Sequence, residues 1–298
     1  MSGSLSGQSL YPPEKPEEVI AQLFASSHKA FAAGELEKAE SDSRQVSGIS
    51  LDQLGAIYLK LERYSLSEKA YREAAKVFAL SPYPFIGLGV LSLNRGNYDE
   101  GMKWVNKILE LNPLHPEARH VLGKLYFMKG EFSKASEELR DAYQLNPANT
   151  SVGYTLALAF LKQKKVEEAA RVFQDMSGRL GESPQLHVLI GRAYRQTADS
   201  LDLSYAVYLE KAVAEFQEAV RLQPDFPRVH HYLGLTYLLQ KGKQAFPLAM
   251  KEFVTELKRE PDEYFANFYL GVLLATQRKH QKALPYLEKA TRLDPQNP

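Results

Sequence analysis

Seven small residues return along the chain at near-constant intervals: Gly55, Gly89, Gly123, Ala157, Gly191, Gly234 and Gly271, spaced by 34, 34, 34, 34, 43 and 37 residues. A period of this size requires one supersecondary unit repeated in series, each copy burying its apolar stripe on its neighbours. Each small residue follows a branched apolar one (Leu54, Leu88, Leu122, Leu156, Ile190, Leu233, Leu270), and an aromatic often comes three later, at Tyr58, Tyr126, Phe160, Tyr194 and Tyr237. That spacing marks one face of a helix. A second small residue lies twelve further on at Ser67, Gly101, Ala135 and Ala169, and Ala212, Ala249 and Ala283 keep the role after altered spacings. Four residues beyond it stands a bulky partner (Tyr71, Val105, Leu139, Phe173, Phe216, Phe253, Leu287), so a second helix fills each period.

The punctuation agrees. Pro113, Pro147, Pro224, Pro261 and Pro295 recur where the second helix should stop, because proline lacks the amide and restricts the residue before it. Ser183-Pro184 reads as an N-cap with proline at the first helical position; Pro116 and Pro227 are expected to sit likewise, and Asp262 and Asn149 or Thr150 to cap their helices. Arg95-Gly96-Asn97 and Lys129-Gly130-Glu131 read as the turns of helical hairpins. Pro285 breaks the rule inside a second helix and is expected to kink it or to lie where its amide is exposed.

On these residues the chain resembles the tetratricopeptide repeat family, whose unit is a 34-residue helix–turn–helix; residues 116 to 149 match best, with Leu122-Gly123, Tyr126, Gly130, Phe132, Ala135, Leu139, Ala142 and Pro147. Eight units follow: 20 to 47, 48 to 81, 82 to 115, 116 to 149, 150 to 183, 184 to 226, 227 to 263 and 264 to 298. The expectation is a right-handed all-α solenoid of about sixteen antiparallel helices over residues 17 to 298, with a degenerate first unit as a cap. Residues 1 to 16, rich in Ser, Gly and Pro, read as a flexible leader or a cloning scar. The extra residues of units six and seven are expected to emerge as loops or longer helices, and in unit six the stretch around Thr197 to Val207 reads as a lengthened turn or helix extension with Tyr205 and Tyr208 on one face. No polar helix follows the last unit, which reads as a fragment of a longer chain or an end covered by a partner.

Composition narrows the function. With 37 Lys and Arg against 36 Asp and Glu there is no bulk field for a polyanion, so nucleic acid is not an expected partner. No apolar run reaches membrane-spanning length, and none is expected to insert. Without cysteine there is no disulfide framework or thiolate site. That fits cytosol and periplasm equally, and the lack of a secretory signal favours the cytoplasm. The seven histidines form no His-Glu-x-x-His motif, Gly87-Leu88-Gly89 lacks the strand and third glycine of a dinucleotide loop, and the paired glutamates sit on polar faces. No enzyme activity, metal or cofactor is expected.

Function is therefore sought on the surface. The resemblance implies that positions 2, 5, 9 and 12 of each first helix line a concave groove, which carries Tyr83, Ile86 and Val90 in the third unit and His120, Lys124 and Phe127 in the fourth. Tyr154, then Arg192 and Arg195, then Arg228 and His231, and finally Phe265 and Phe268 continue it. Leu158, Leu161, Val188, Leu235 and Leu238 share the same register. An apolar and aromatic groove with a basic centre suits a peptide or protein segment with apolar anchors against Tyr83, Ile86, Phe127 and Tyr154 and an acidic residue near Arg192 and Arg195. The carboxylate clamp for chaperone tails is absent, since Phe24, His28, Asp52, Ala56, Ile86 and Val90 occupy its positions. The expected role is a non-catalytic protein-interaction scaffold; the alternatives are an accessory repeat domain of a larger enzyme or assembly, and a helical-repeat RNA binder.

Overall fold

The computed structural model describes residues 15–78, 81–198 and 205–295. Among them are fifteen α-helices, one 3-10 turn and no strand: α1 (Pro16–Ala32), α2 (Leu36–Lys60), α3 (Tyr64–Val77), α4 (Pro82–Asn94), α5 (Tyr98–Leu111), α6 (Pro116–Met128), α7 (Phe132–Leu145), α8 (Thr150–Lys162), α9 (Val166–Leu180), α10 (Pro184–Thr197), α11 (Tyr205–Leu222), α12 (Val229–Lys241), the turn Gly242–Ala245, α13 (Phe246–Arg259), α14 (Tyr264–Thr276) and α15 (His280–Leu293). The chain divides into two compact units, Met1–Val152 and Gly153–Pro298. Within each, helices pack in consecutive hairpins: α2 on α3, α4 on α5 and α6 on α7 in the first, α10 on α11, α12 on α13 and α14 on α15 in the second. Next-but-one helices also touch, α2 with α4, α4 with α6 and α10 with α12, so the first helices of these hairpins share a face. This is an all-α solenoid architecture. Among the described residues no helix is long and apolar enough to cross a membrane.

The small residues do what their period predicts. A β-carbon on Gly123 would lie 2.5 Å from Leu139 Cγ, on Gly55 2.7 Å from the Tyr71 ring, on Gly191 2.7 Å from Phe216, on Gly234 2.8 Å from Phe253 and on Gly271 2.6 Å from Leu287. Each first helix thus approaches its partner closely enough for the bulky residue of the second helix to lie on its backbone. In the first unit Val105, Ile108, Val121 and Leu125 form a core between α5 and α6, and in the second Phe253, Leu270, Leu273 and Leu274 form one between α13 and α14. Phe253 has no exposed surface, and burying a side chain of its size stabilises by about 1.5–3 kcal/mol.

One turn closes the hairpins. Gly96 (φ 75) and Gly130 (φ 80) adopt the left-handed conformation, and the next amide reaches back five residues, Asn97 N to Ser92 O at 2.9 Å and Glu131 N to Tyr126 O at 3.0 Å. This satisfies carbonyls that the helix end leaves without an intrahelical partner. Glu62, Lys164 and Arg278 hold the same left-handed position without being glycine.

Several local expectations hold: Ser183 accepts from Leu186 N, Pro184 and Pro116 open their helices, and Asn149 Oδ1 accepts from Ser151 N and Val152 N. Others are corrected. The first hairpin merges with the second, because Gln45 to Ser50 contains no proline and α2 runs unbroken for 25 residues. Pro227 does not open α12, which starts at Val229 after Arg228 takes a left-handed φ of 63. Glu263, not Asp262, caps α14 through Ala266 N. Pro285 is accommodated at an exposed position within α15. Of the leader, residues 1 to 14 lie outside the described residues, and Pro16 already opens α1. Of the insertion in unit six, residues 199 to 204 lie outside them too; α11 is an extended helix of 18 residues in which Tyr208 is buried and the Tyr205 hydroxyl donates to Leu239 O at 3.2 Å. The extra residues of unit seven form the 3-10 turn.

Candidate protein-interaction surface

In the first unit the expected groove residues lie on α4 and α6. Ile86 and Val90 are half-buried and pack on the core around Val105 and Val121, so these two support the fold rather than stand clear of it. Tyr83 meets His115 edge-on at 6.3 Å, and burial raises its phenol, helped by Glu117 and Asp52. On α6, burial pushes His120 down to about 4, reinforced by the neighbouring Lys124. Lys124 is itself lowered by burial, and its Nζ donates to Ser151 Oγ at 3.3 Å. Phe127 packs edge-on against Phe132 at 5.3 Å. Asp52 on α2 belongs to this neighbourhood: burial raises it to about 6, and its Oδ1 is buried without a hydrogen-bond partner among the described residues.

The second unit differs. Arg192 and Arg195, three apart on α10, and Arg228 at the start of α12 all direct their guanidinium groups at the ring of Tyr232, with centroid distances of 5.5, 5.7 and 5.9 Å. The Tyr232 ring stacks on Phe216 of α11, 5.6 Å away and 16° from parallel, and Phe216 is fully buried. Tyr232 is therefore a fixed platform whose negative ring face offsets part of the repulsion between three cations. Arg228 also lies 5.8 Å from the Phe265 ring, and its guanidinium is 3.7 Å from Glu263. Tyr154 of α8 joins the group. Burial raises its phenol while Arg192 and Arg195 act to lower it, and its hydroxyl donates to Gln196 Oε1 at 3.5 Å.

A buried carboxylate positions Arg228. Glu256 of α13 has no exposed surface; its Oε1 accepts from Arg228 N at 3.1 Å and from Arg259 at 2.6 Å, and its Oε2 accepts from His231 N at 3.4 Å. Glu256 thus satisfies the open amides at the start of α12 and suits the positive end of its dipole. The left-handed backbone of Arg228 is held by that anchorage.

His231 corrects the expectation of a row of groove-lining side chains. It is only 4% exposed, 5.4 Å from Phe265 and 5.2 Å from Tyr232 between ring centroids, and burial together with Arg228 and Arg195 pushes it down to about 3. It therefore supports the platform as a neutral ring. Leu158, Leu161 and Val188 are buried as well, and Leu235 and Leu238 pack on the core around Phe253, so the register positions are not uniformly open. Phe265 is 39% exposed, while Phe268 stacks on Tyr264 at 6.1 Å. Sequence reasoning missed Tyr232, Gln196, Glu256 and Asp52. Tyr232 lies four residues after Arg228, a helical-neighbour signal, but its link to Arg192 and Arg195 depends on how α10 and α12 pack.

Consecutive hairpins that share one turn and one close-packed small residue define a helical-repeat protein. Family models agree: one described as tetratricopeptide repeat matches residues 53–116 and 244–298, one described as TPR repeat matches 209–241, and one described as anaphase-promoting complex, cyclosome, subunit 3 matches 94–176. The chain belongs to the tetratricopeptide repeat family. No curated protein matches it by sequence. Similar solved structures include yeast Tom70 (15% identity, TM-score 0.61, covering 95% of this chain and 57% of that one) and a tetratricopeptide repeat protein from Parabacteroides merdae (15%, 0.54, 86% and 99%). A thermophilic TPR protein from Thermus thermophilus is similar at 17% identity and TM-score 0.50, covering 64% of this chain and 99% of its own. At these identities the likeness shows the fold.

Proposed function

We propose that the chain is a non-catalytic protein-interaction scaffold and that its second unit binds an acidic side chain or terminal carboxylate of a partner peptide. The observation that carries this reading is the convergence of Arg192, Arg195 and Arg228 on Tyr232. Guanidinium groups are rigid forks of donors matched to carboxylates, and arginines beside aromatics concentrate binding energy in protein interfaces. The Tyr154 hydroxyl adds a polar contact, and the partly exposed Phe265 offers an apolar anchor beside the acid. Catalysis has little support at this face: burial and neighbouring cations push His120 to about 4 and His231 to about 3, too weakly basic to take up a proton near neutral pH.

The test is calorimetry of the wild-type chain and the Arg192→Glu/Arg195→Glu variant against a peptide array in which aspartate or glutamate is combined with apolar residues, with single-stranded RNA run in parallel. The variant is expected to bind the selected acidic peptides at least about tenfold more weakly, since like charge then faces the ligand, while melting at the wild-type temperature. Equal affinity in the variant, or salt-dependent binding of RNA in preference to every peptide, refutes the reading.

A further inference from the structure

A second cluster lies at the α10–α11 hairpin. His187 stands in the first turn of α10 and is 9% exposed. Its Nδ1 is 2.7 Å from Glu215 Oε2 on α11. An ionised carboxylate only accepts, so this contact places the ring proton on Nδ1 and leaves the lone pair on Nε2. Nε2 is buried and has no hydrogen-bond partner among the described residues. A buried lone pair without a donor is uncommon, because such groups are nearly always satisfied. Around His187, one turn along α11 from Glu215, lies Glu218, and Glu182 sits just before the Ser183 cap of α10. One ligating atom from each of Glu182, His187 and Glu218 lies within 4.8 Å of the other two.

We propose that Glu182, His187 and Glu218 form a binding site for a divalent transition-metal ion of the zinc class. Glu215 is the positioning residue: a carboxylate on one ring nitrogen fixes the tautomer and the orientation of the ring, which is the usual outer shell of a metal-bound imidazole. One imidazole and two carboxylates suit Zn²⁺ or Co²⁺, whereas Ca²⁺ and Mg²⁺ take oxygen ligands and gain nothing from His187. Three protein ligands leave a coordination position for water or for a carboxylate from outside.

Arg221 supplies the competing interaction. Its Nε lies 2.8 and 3.0 Å from the two oxygens of Glu218, and its Nη2 is 2.5 Å from Oε1. The guanidinium holds Glu218, and a bound metal must draw that carboxylate away. No short sequence motif carries the site, because its donors come from the approach to α10, the first turn of α10 and the fourth turn of α11.

Calorimetry with Zn²⁺ alone on the chelator-treated chain, followed by Co²⁺ and its visible absorption, tests the assignment. One Zn²⁺ per chain is expected, with His187→Gln weakening uptake at least about tenfold and Glu215→Gln by about tenfold. Arg221→Ala, which releases Glu218, is expected to tighten uptake several-fold, an effect that loss of a purely structural ion pair would not produce. Should His187→Gln fail to fold, Glu182→Gln/Glu218→Gln serves in its place, with the same loss expected. No stoichiometric uptake by the wild type, uptake unaltered in these variants, or Ca²⁺ bound as tightly as Zn²⁺ would overturn the proposal.

Discussion

The faces of the two units use equivalent register positions for opposite purposes. On α4 and α6, Ile86 and Val90 are drawn onto the core, and His120 and Lys124 are both shifted toward neutrality by burial. On α10 and α12 the corresponding region gathers three guanidinium groups around one ring, with buried Phe216 stacked on that ring and buried Glu256 anchoring the backbone. Arginine resists burial that shifts lysine and histidine toward neutrality, so the second arrangement holds its positive charge more firmly in a partly desolvated setting. Position in a repeat thus gives a side chain its direction. Its neighbours decide whether it is available.

The largest expected effect tests the support beneath that platform. Phe216→Ala should cost about 3–5 kcal/mol in urea unfolding and also abolish acidic-peptide binding, because the ring under Tyr232 is lost. Leu139→Ala in the first unit, also fully buried, should cost about 2–5 kcal/mol and leave that binding intact. Binding that survives Phe216→Ala would show that the arginines do not need the platform. Next comes close packing. Gly123→Leu must displace Leu139 and is expected to destabilise by about 1–3 kcal/mol or more, and an unchanged melting curve would refute the contact.

Adjacent histidines sharpen the comparison by pH. Glu252, 2.6 Å from His230 Nδ1, raises that ring, whereas burial among cations lowers His231 to about 3. The stability that His230 contributes is therefore present below its unfolded value and lost as pH rises through its folded one. His231 contributes the reverse: stability is full above about 6.5 and lost as pH falls toward 3, by about 1.4 kcal/mol per pH unit within that window. In the first unit His120 acts as His231 does, but Asp52, raised to about 6, opposes it, since protonation favours the fold there. Imidazole resonances followed by NMR should show His230 titrating above its ordinary value and His231 still neutral at pH 5. A His231 midpoint near 6.5 would remove the burial argument.

The smallest effect concerns the turns. Glu62→Gly in the first unit and Arg278→Gly in the second should each stabilise by about 0.5–1 kcal/mol, because a left-handed residue with a β-carbon is strained where glycine is not. Gly130→Ala should lose about 1 kcal/mol at the same position. Equal shifts in both units would confirm that the turn, unlike the face, is the same device throughout.

What the sequence determined by itself is the local and periodic part. Gly55, Gly123 and Gly271 mark close helix approach, Gly96 and Gly130 mark left-handed turns, and Ser183-Pro184 marks a helix start, because each acts on residues within a few positions or at a fixed offset in its own hairpin. The period alone suggested a break near Gln45 that the unbroken α2 does not show, since no proline stands there to end the helix. Tertiary structure decided the rest. Tyr232 meets arginines 37 and 40 residues earlier, Glu256 reaches an amide 28 residues away, and His187 meets Glu215 and Glu218 across an insertion of irregular length. None of these distances is set by helical periodicity. They follow from the packing of α10 to α13, and that packing determines which charges are paired, which are buried and which remain for a ligand.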